Sequence, residues 1–248
     1  MGVLTRKQRE LAQRQNLFLE TARRILLEGG YAGLTMERLA EAAEYSKGTV
    51  YNHFRCKEEV VAELACRVLH GKAVFVERGA NSKGRPRERL VAVGEAAMLF
   101  SRLYPEDMRI MQILQSQVLM RKAPQKLRER VRAQDCRVLD AVGGVVRDAV
   151  KNGDLARDRF AEPAIEELAF GICCVIDGGH SRIVRYASSE DSAVADPYRA
   201  LSQTLDLLAD GCGWRLLSSE CNYGDVRERV CATVFQEELR RLQTAHRK

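Results

Sequence analysis

The 248-residue sequence predicts an all-α fold, and three observations carry that expectation. Apolar residues recur at three- and four-residue spacing through most of the chain. No stretch sustains the two-residue alternation of a half-buried strand. Prolines number only five, and glycines stand at several points where the helical pattern stops.

The elements follow in order. Leu11, Phe18, Ala22 and Ile25 mark a first helix that ends at Gly29-Gly30. Thr35 is a suitable N-cap for a second, with Met36, Leu39, Ala40 and Ala43 on one face. A polar break at Glu44-Tyr45-Ser46 follows. Ser46 can cap a short third helix whose Val50 and Phe54 stand one turn apart and turn inward. A long fourth helix opens near Lys57 with Val61, Leu64, Ala65 and Val68 along one side, and residues 79–87 form the clearest break. Further helices are expected from Leu90 to Leu103, from Pro105 to Met120, and from Leu127 to Val150 with Asn152-Gly153 as the stop. Ile165, Leu168, Ala169, Ile172 and Ile176 make another, ended near Gly178-Gly179. Tyr198, Leu201, Leu205 and Leu208 make one ended by Gly211, and one last helix carries Cys231, Phe235, Leu239 and Leu242.

The most informative stretch is the second and third of these helices. With Val50 and Phe54 inward, Lys47, Gly48, Tyr51 and Asn52 fall away from the packing face. A cation, a glycine permitting close approach, a phenol and an amide on one short helix have little use in a core. They suit a major groove, where residues of such a helix meet base edges and phosphates. The reading is a helix-turn-helix that touches double-stranded DNA.

At these residues the chain resembles the tetracycline-repressor (TetR) family. The resemblance runs from Gly30 to Lys57 and is carried by Thr35, Leu39-Ala40, Ser46-Lys47-Gly48-Thr49-Val50-Tyr51, His53-Phe54 and Lys57-Glu58-Glu59. Beyond it, only helical character, length and the ending Gly211-Cys212-Gly213-Trp214 are similar. Two residues depart from the pattern. Glu44-Tyr45 stands where the family usually has Gly-Val in the turn, and Cys56 replaces a small polar residue.

The resemblance implies an N-terminal helix-turn-helix head, residues 1–58, and a larger helical body, residues 59–248, that binds an effector and dimerises. It implies that Lys47, Gly48, Tyr51 and Asn52 approach bases, while Thr35, Thr49, Tyr51, His53 and Lys57 bind phosphates. Ser46 belongs to the same surface. Tyr45 is an addition peculiar to this chain, either reaching the DNA backbone or packing under the turn. In similar proteins two helices near the end pair with their mates, which nominates residues 165–176 and 198–208 and makes Leu205 an interface residue. The alternative is that these stretches are buried within one subunit. Residues 215–248 extend past the point where many relatives stop.

Charge agrees with a polyanionic partner. The net charge is +6. Residues 1–57 carry ten Lys and Arg against six Glu, so two-thirds of the excess lies in less than a quarter of the chain. No segment reaches the ~18 apolar residues of a membrane span, and no apolar run follows the basic N-terminus as a secretory signal would require. The eight cysteines show no CxxC pair and are read as small hydrophobes on apolar helical faces, in a reducing cytoplasm. His53, His70, His180 and His246 stand at no ligand spacing, so no metal is expected.

No GxSxG elbow, phosphate-cradling loop or HExxH motif is present, so an enzyme and a cofactor are not expected. Carboxylate pairs such as Glu58-Glu59 and Glu166-Glu167 read as solvated helix faces. The expectation is a homodimeric repressor on an inverted-repeat operator, released by a small-molecule effector. An effector-independent DNA-binding regulator and a thiol-based sensor using Cys173-Cys174 are the alternatives.

Overall fold

A computed structural model describes residues 5–114, 122–186 and 194–245. All regular structure among them is helical. Two compact units arise: Met1–Leu69 with Arg109–Ala133, and His70–Met108 with Gln134–Lys248.

The first unit begins with α1 (Arg6–Gly33), whose N-cap Thr5 forms a reciprocal capping box with Gln8. Gly30, at φ 62°, breaks the helix where the glycine pair predicts a stop. α2 (Met36–Ala42) and the five-residue α3 (Lys47–Tyr51) follow. α4 (Lys57–Ala80) contributes its residues through Leu69 to this unit. The unit's core joins Phe18, Leu19, Ile25, Leu39, Val50, Phe54, Val61 and Leu64. Ile110, fully buried on α6 (Pro105–Leu114), belongs to the same core. The remainder of the helix expected to run to Met120 lies outside the described residues, as does His246.

The second unit contains the rest of α4, α5 (Pro86–Leu103) and most of α7 (Gln125–Lys151). α8 (Ala164–Tyr186), α9 (Pro197–Gly211), α10 (Tyr223–Thr233) and α11 (Gln236–Ala245) complete it. The break after α4 is shorter than the sequence suggests. Gly79 stays helical, because a Cβ there would lie 2.6 Å from the Ala92 carbonyl oxygen on α5. Glycine is what lets those two helices approach.

Two other expectations are corrected. α8 does not stop at Gly178-Gly179 but runs on to Tyr186, since Gly179 faces Leu201 of α9 where a Cβ would sit 2.5 Å from Leu201 Cδ1. That glycine serves close packing. The single last helix is two helices, with Phe235 fully buried between them and stacked on Phe75 at 6.1 Å. Arg78 fastens α11, lying 4.9 Å over the Phe235 ring while pairing with Glu238 and donating to the Val234 carbonyl.

The end of α9 is held from within. Gly213 takes φ 71° as the helix closes, and Trp214 is fully buried behind it. Arg87, 1% exposed, donates to the Asp206 carbonyl and to Asp210 Oδ1, each at 3.0 Å, and stands 4.8 Å over the Tyr223 ring.

Leu205, expected at an interface, is instead buried in this chain's own core and close against Gly94. Ile165, Ala169, Ile172 and Ile176 are buried there too. The cysteines divide more than expected: Cys66 is buried, whereas Cys136 and Cys174 are exposed. Cys173 packs on the core and burial pushes its thiol up to about 12, which opposes the thiolate a redox sensor needs.

Candidate nucleic-acid interface

α2 and α3 are short because their ends are chemically marked. Thr35 accepts the Arg38 N–H at 3.1 Å, and Ser46 accepts the Thr49 N–H at 3.2 Å. The Ser46 and Thr49 hydroxyls lie 2.8 Å apart. Both caps therefore hold the hydroxyls of Thr35, Ser46 and Thr49 in fixed places on the surface.

Between the helices the Tyr45 N–H donates to the Ala40 carbonyl at 3.0 Å, closing the turn. Glu44 takes φ 57°, the left-handed region where glycine is at ease. The departure from the family's usual glycine thus leaves the turn in place and puts the conformational cost on Glu44. A side chain in that region costs ~1–2 kcal/mol. Glu44→Gly is expected to raise stability by about 1 kcal/mol, read as a higher urea midpoint with unchanged slope. An unchanged or lower midpoint would show that Glu44 makes compensating contacts.

The outer face of α3 is built as the sequence suggests. Val50 is fully buried and Phe54 nearly so, while Lys47, Gly48, Tyr51 and Asn52 are exposed, Tyr51 by 46%. A Cβ on Gly48 would meet nothing closer than Ser46 Oγ at 3.9 Å. The chain's own packing does not require a glycine there.

The remaining predicted residues lie around this face. Tyr45 is partly exposed and packs edge-on against Phe18, with centroids 5.3 Å apart. His53 makes a second edge contact with Phe18 at 5.1 Å. Burial, helped by the charge of Arg14, lowers the His53 pKa, so a neutral ring is favoured. Lys57 begins α4 with its ammonium 4.1 Å over the Tyr31 ring, and the Tyr31 hydroxyl donates to Glu58 at 2.7 Å. Dipole and ammonium both favour an anion at that point. Cys56, in the other departure from the pattern, accepts the Glu59 N–H on its carbonyl. Its thiol pKa is raised, chiefly by burial.

Three neighbours were not legible from the motif. Arg14 stands 5.8 Å from the Tyr45 ring, and Tyr31 forms the seat of Lys57. Both are distant in sequence from what they support. Glu37 lies 3.4 Å from the Lys47 ammonium, and this pair could have been found by noting opposite charges on two adjoining short helices.

Residues 18–64 match the family described as bacterial regulatory proteins, tetR family. The transcriptional repressor AcnR of Corynebacterium diphtheriae is 43% identical over 56 residues, 23% of this chain and 30% of that repressor. The chain therefore spans under a third of that relative's length. Solved structures similar over about four-fifths of this chain include a putative transcriptional regulator from Pseudomonas aeruginosa, with TM-score 0.67 and 19% identity over 82% of this chain and 91% of that one. Another is FadR of Bacillus subtilis in complex with stearoyl-CoA, with TM-score 0.61 and 17% identity over 79% and 98%. The ordered motif, the capped helix pair that it builds and the family match agree over residues 18–64, and that segment of the chain is what matches the tetR family of bacterial regulatory proteins.

Proposed function

We propose that this protein is a cytoplasmic, non-enzymatic transcriptional repressor that binds an inverted-repeat DNA operator as a homodimer and is released by a small-molecule effector. The observation that carries the DNA-binding part is the outward face of α3. Gly48 is a glycine that the fold does not need, and it stands between an exposed cation and an exposed phenol. A major groove needs that clearance. Residues 1–58 act as the head and 59–248 as the effector-binding and dimerising body. Lys47, Gly48, Tyr51 and Asn52 face bases. Thr35, Tyr45, Ser46, Thr49, His53 and Lys57 hold phosphates.

Lys57 provides a direct test of this division. As a phosphate contact it positions without specifying. Lys57→Ala is expected to weaken all DNA sequences about equally and to lower the salt slope by ~1 per half-site. A loss confined to the operator recovered from a random-DNA selection would make Lys57 a base reader.

For the dimer we look to the outward faces of α8 and α9 and not to Leu205. Phe170 is 61% exposed and Leu207 is 71% exposed. Gly171, Gly178 and Gly211 on the same helices have open space where a side chain would begin. Such faces can pair closely with a second copy. Leu207→Glu is expected to weaken dimerisation by ~1 kcal/mol or more, several-fold in dissociation constant, with the melting of the monomer unchanged. Sedimentation over a concentration series measures it, and an unaltered dimer would place the interface elsewhere.

Release needs an effector that binds one conformation better than the other, by ~1–3 kcal/mol in a typical coupling. α4 is the natural lever, because its chain passes from one unit to the other. The stearoyl-CoA bound to FadR supports the reading that a body of this fold can hold an effector.

A further inference from the structure

The helices that follow Trp214 do more than lengthen the chain. α10 and α11, with α5 and α9, wall an open cleft of about 1110 Å³. Common small-molecule sites measure ~300–1,000 Å³. Tyr198, Tyr223, Met98 and Leu99 give it aromatic and apolar walls.

Its inner end has an electrostatic shortfall. The Glu95 side chain is 14% exposed, and among the described residues its ion pair is with Arg227 Nε at 3.5 Å. That is beyond a good hydrogen bond. The Nη2 of Arg227 is already committed to Asp206. Among the described residues the hydrogen-bond donor to Glu95 is the Cys231 thiol at 3.8 Å, a weak one. Arg227 is thus divided between two carboxylates, of which Asp206, also 4.0 Å from Arg87 Nη2, holds the closer contact. Arg102 also lines the cleft and its charge favours the Glu95 carboxylate, but it stands 5.5 Å over the Tyr198 ring and makes no ion pair within 4 Å among the described residues. A nearly buried carboxylate so poorly matched is costly. Burial accordingly raises the Glu95 pKa in spite of Arg227.

We propose that this cleft binds an organic ammonium compound, its cationic nitrogen on the Glu95 carboxylate and its apolar or aromatic body against Tyr198, Tyr223, Met98 and Leu99. An ammonium donates up to three hydrogen bonds, where the Glu95 carboxylate now has only the weak Cys231 thiol as donor among the described residues. Tyrosine faces attract the same charge. The site stands on the helices after Trp214 and not on the operator-binding reading, so it is tested without DNA.

Calorimetric titration of the full chain with tryptamine, indole-3-ethanol and indole-3-propionate separates the possibilities, because the three share a ring and differ in charge. Tryptamine is expected to bind at least about tenfold tighter than the other two, and Glu95→Gln to remove about that factor with melting preserved. Leu239→Trp fills the cleft from α11 without touching Glu95 and is expected to weaken tryptamine by about fivefold, ~1 kcal/mol. It keeps the question open to refutation should Glu95→Gln not fold. Tighter binding of the propionate would reassign the cleft to organic anions on Arg102 and overturn the proposal. Equal tryptamine affinity in wild type and Glu95→Gln would overturn it too, as would no tryptamine binding at millimolar concentration.

Discussion

Arg87→Ala is expected to destabilise the second unit by about 3–5 kcal/mol, the loss seen when one partner of a buried ionic cluster is removed. The guanidinium is 1% exposed and serves the Asp206 and Trp214 carbonyls, the Asp210 carboxylate and the face of Tyr223 at once. Its Nε lacks a hydrogen-bond partner among the described residues, which costs part of what the other contacts contribute. That deficit is smaller than the damage of truncation. Alanine would leave a cavity beside Trp214 and remove a donor from the Asp206 and Trp214 carbonyls, and among the described residues Asp210 would keep the Ser218 N–H at 3.1 Å. Urea unfolding followed by tryptophan fluorescence reads the effect through the chain's one tryptophan, Trp214. A loss below about 1 kcal/mol would mean that the cluster is near break-even and that Trp214 packing holds the junction.

Tyr51→Ala is expected to reduce operator affinity at least tenfold, about 1.4 kcal/mol or more, with melting within about two degrees of wild type. A core tyrosine would behave in the opposite way, losing a few kcal/mol of stability on truncation. Tyr51 is 46% exposed and lies beside the buried Val50, one turn from Lys47. Its ring therefore contributes little to folding. The measurement pairs a melting curve with a DNA titration at fixed salt. A large fall in melting temperature with a proportionate loss of binding would return Tyr51 to the core and leave Lys47 and Asn52 to carry recognition.

What the sequence revealed depended on whether the cause was local. The caps at Thr35 and Ser46, the inward pair Val50 and Phe54, and the stops at Gly30 and Gly153 all follow from spacing and residue type. Gly79 and Gly179 misled, because a glycine inside a helix can equally mark an end or a close approach. Only the partners, Ala92 and Leu201, decide between those readings. Leu205 misled for the same reason, since an apolar stripe does not say which helix covers it. The residues seating Tyr45 and Lys57 come from distant positions, so no motif contains them.

The first unit is not continuous in sequence. Its core includes Ile110, with Ile113 and Val131 packed against it, all beyond the residues that carry the helix-turn-helix. During synthesis the chain emerges from its N-terminus. The short helices α2 and α3 leave the ribosome long before the side chains that finish their hydrophobic floor. The chain must be made at least through Val131 before the first unit can reach its final packing, so the surface proposed to read DNA matures well after its own residues are translated.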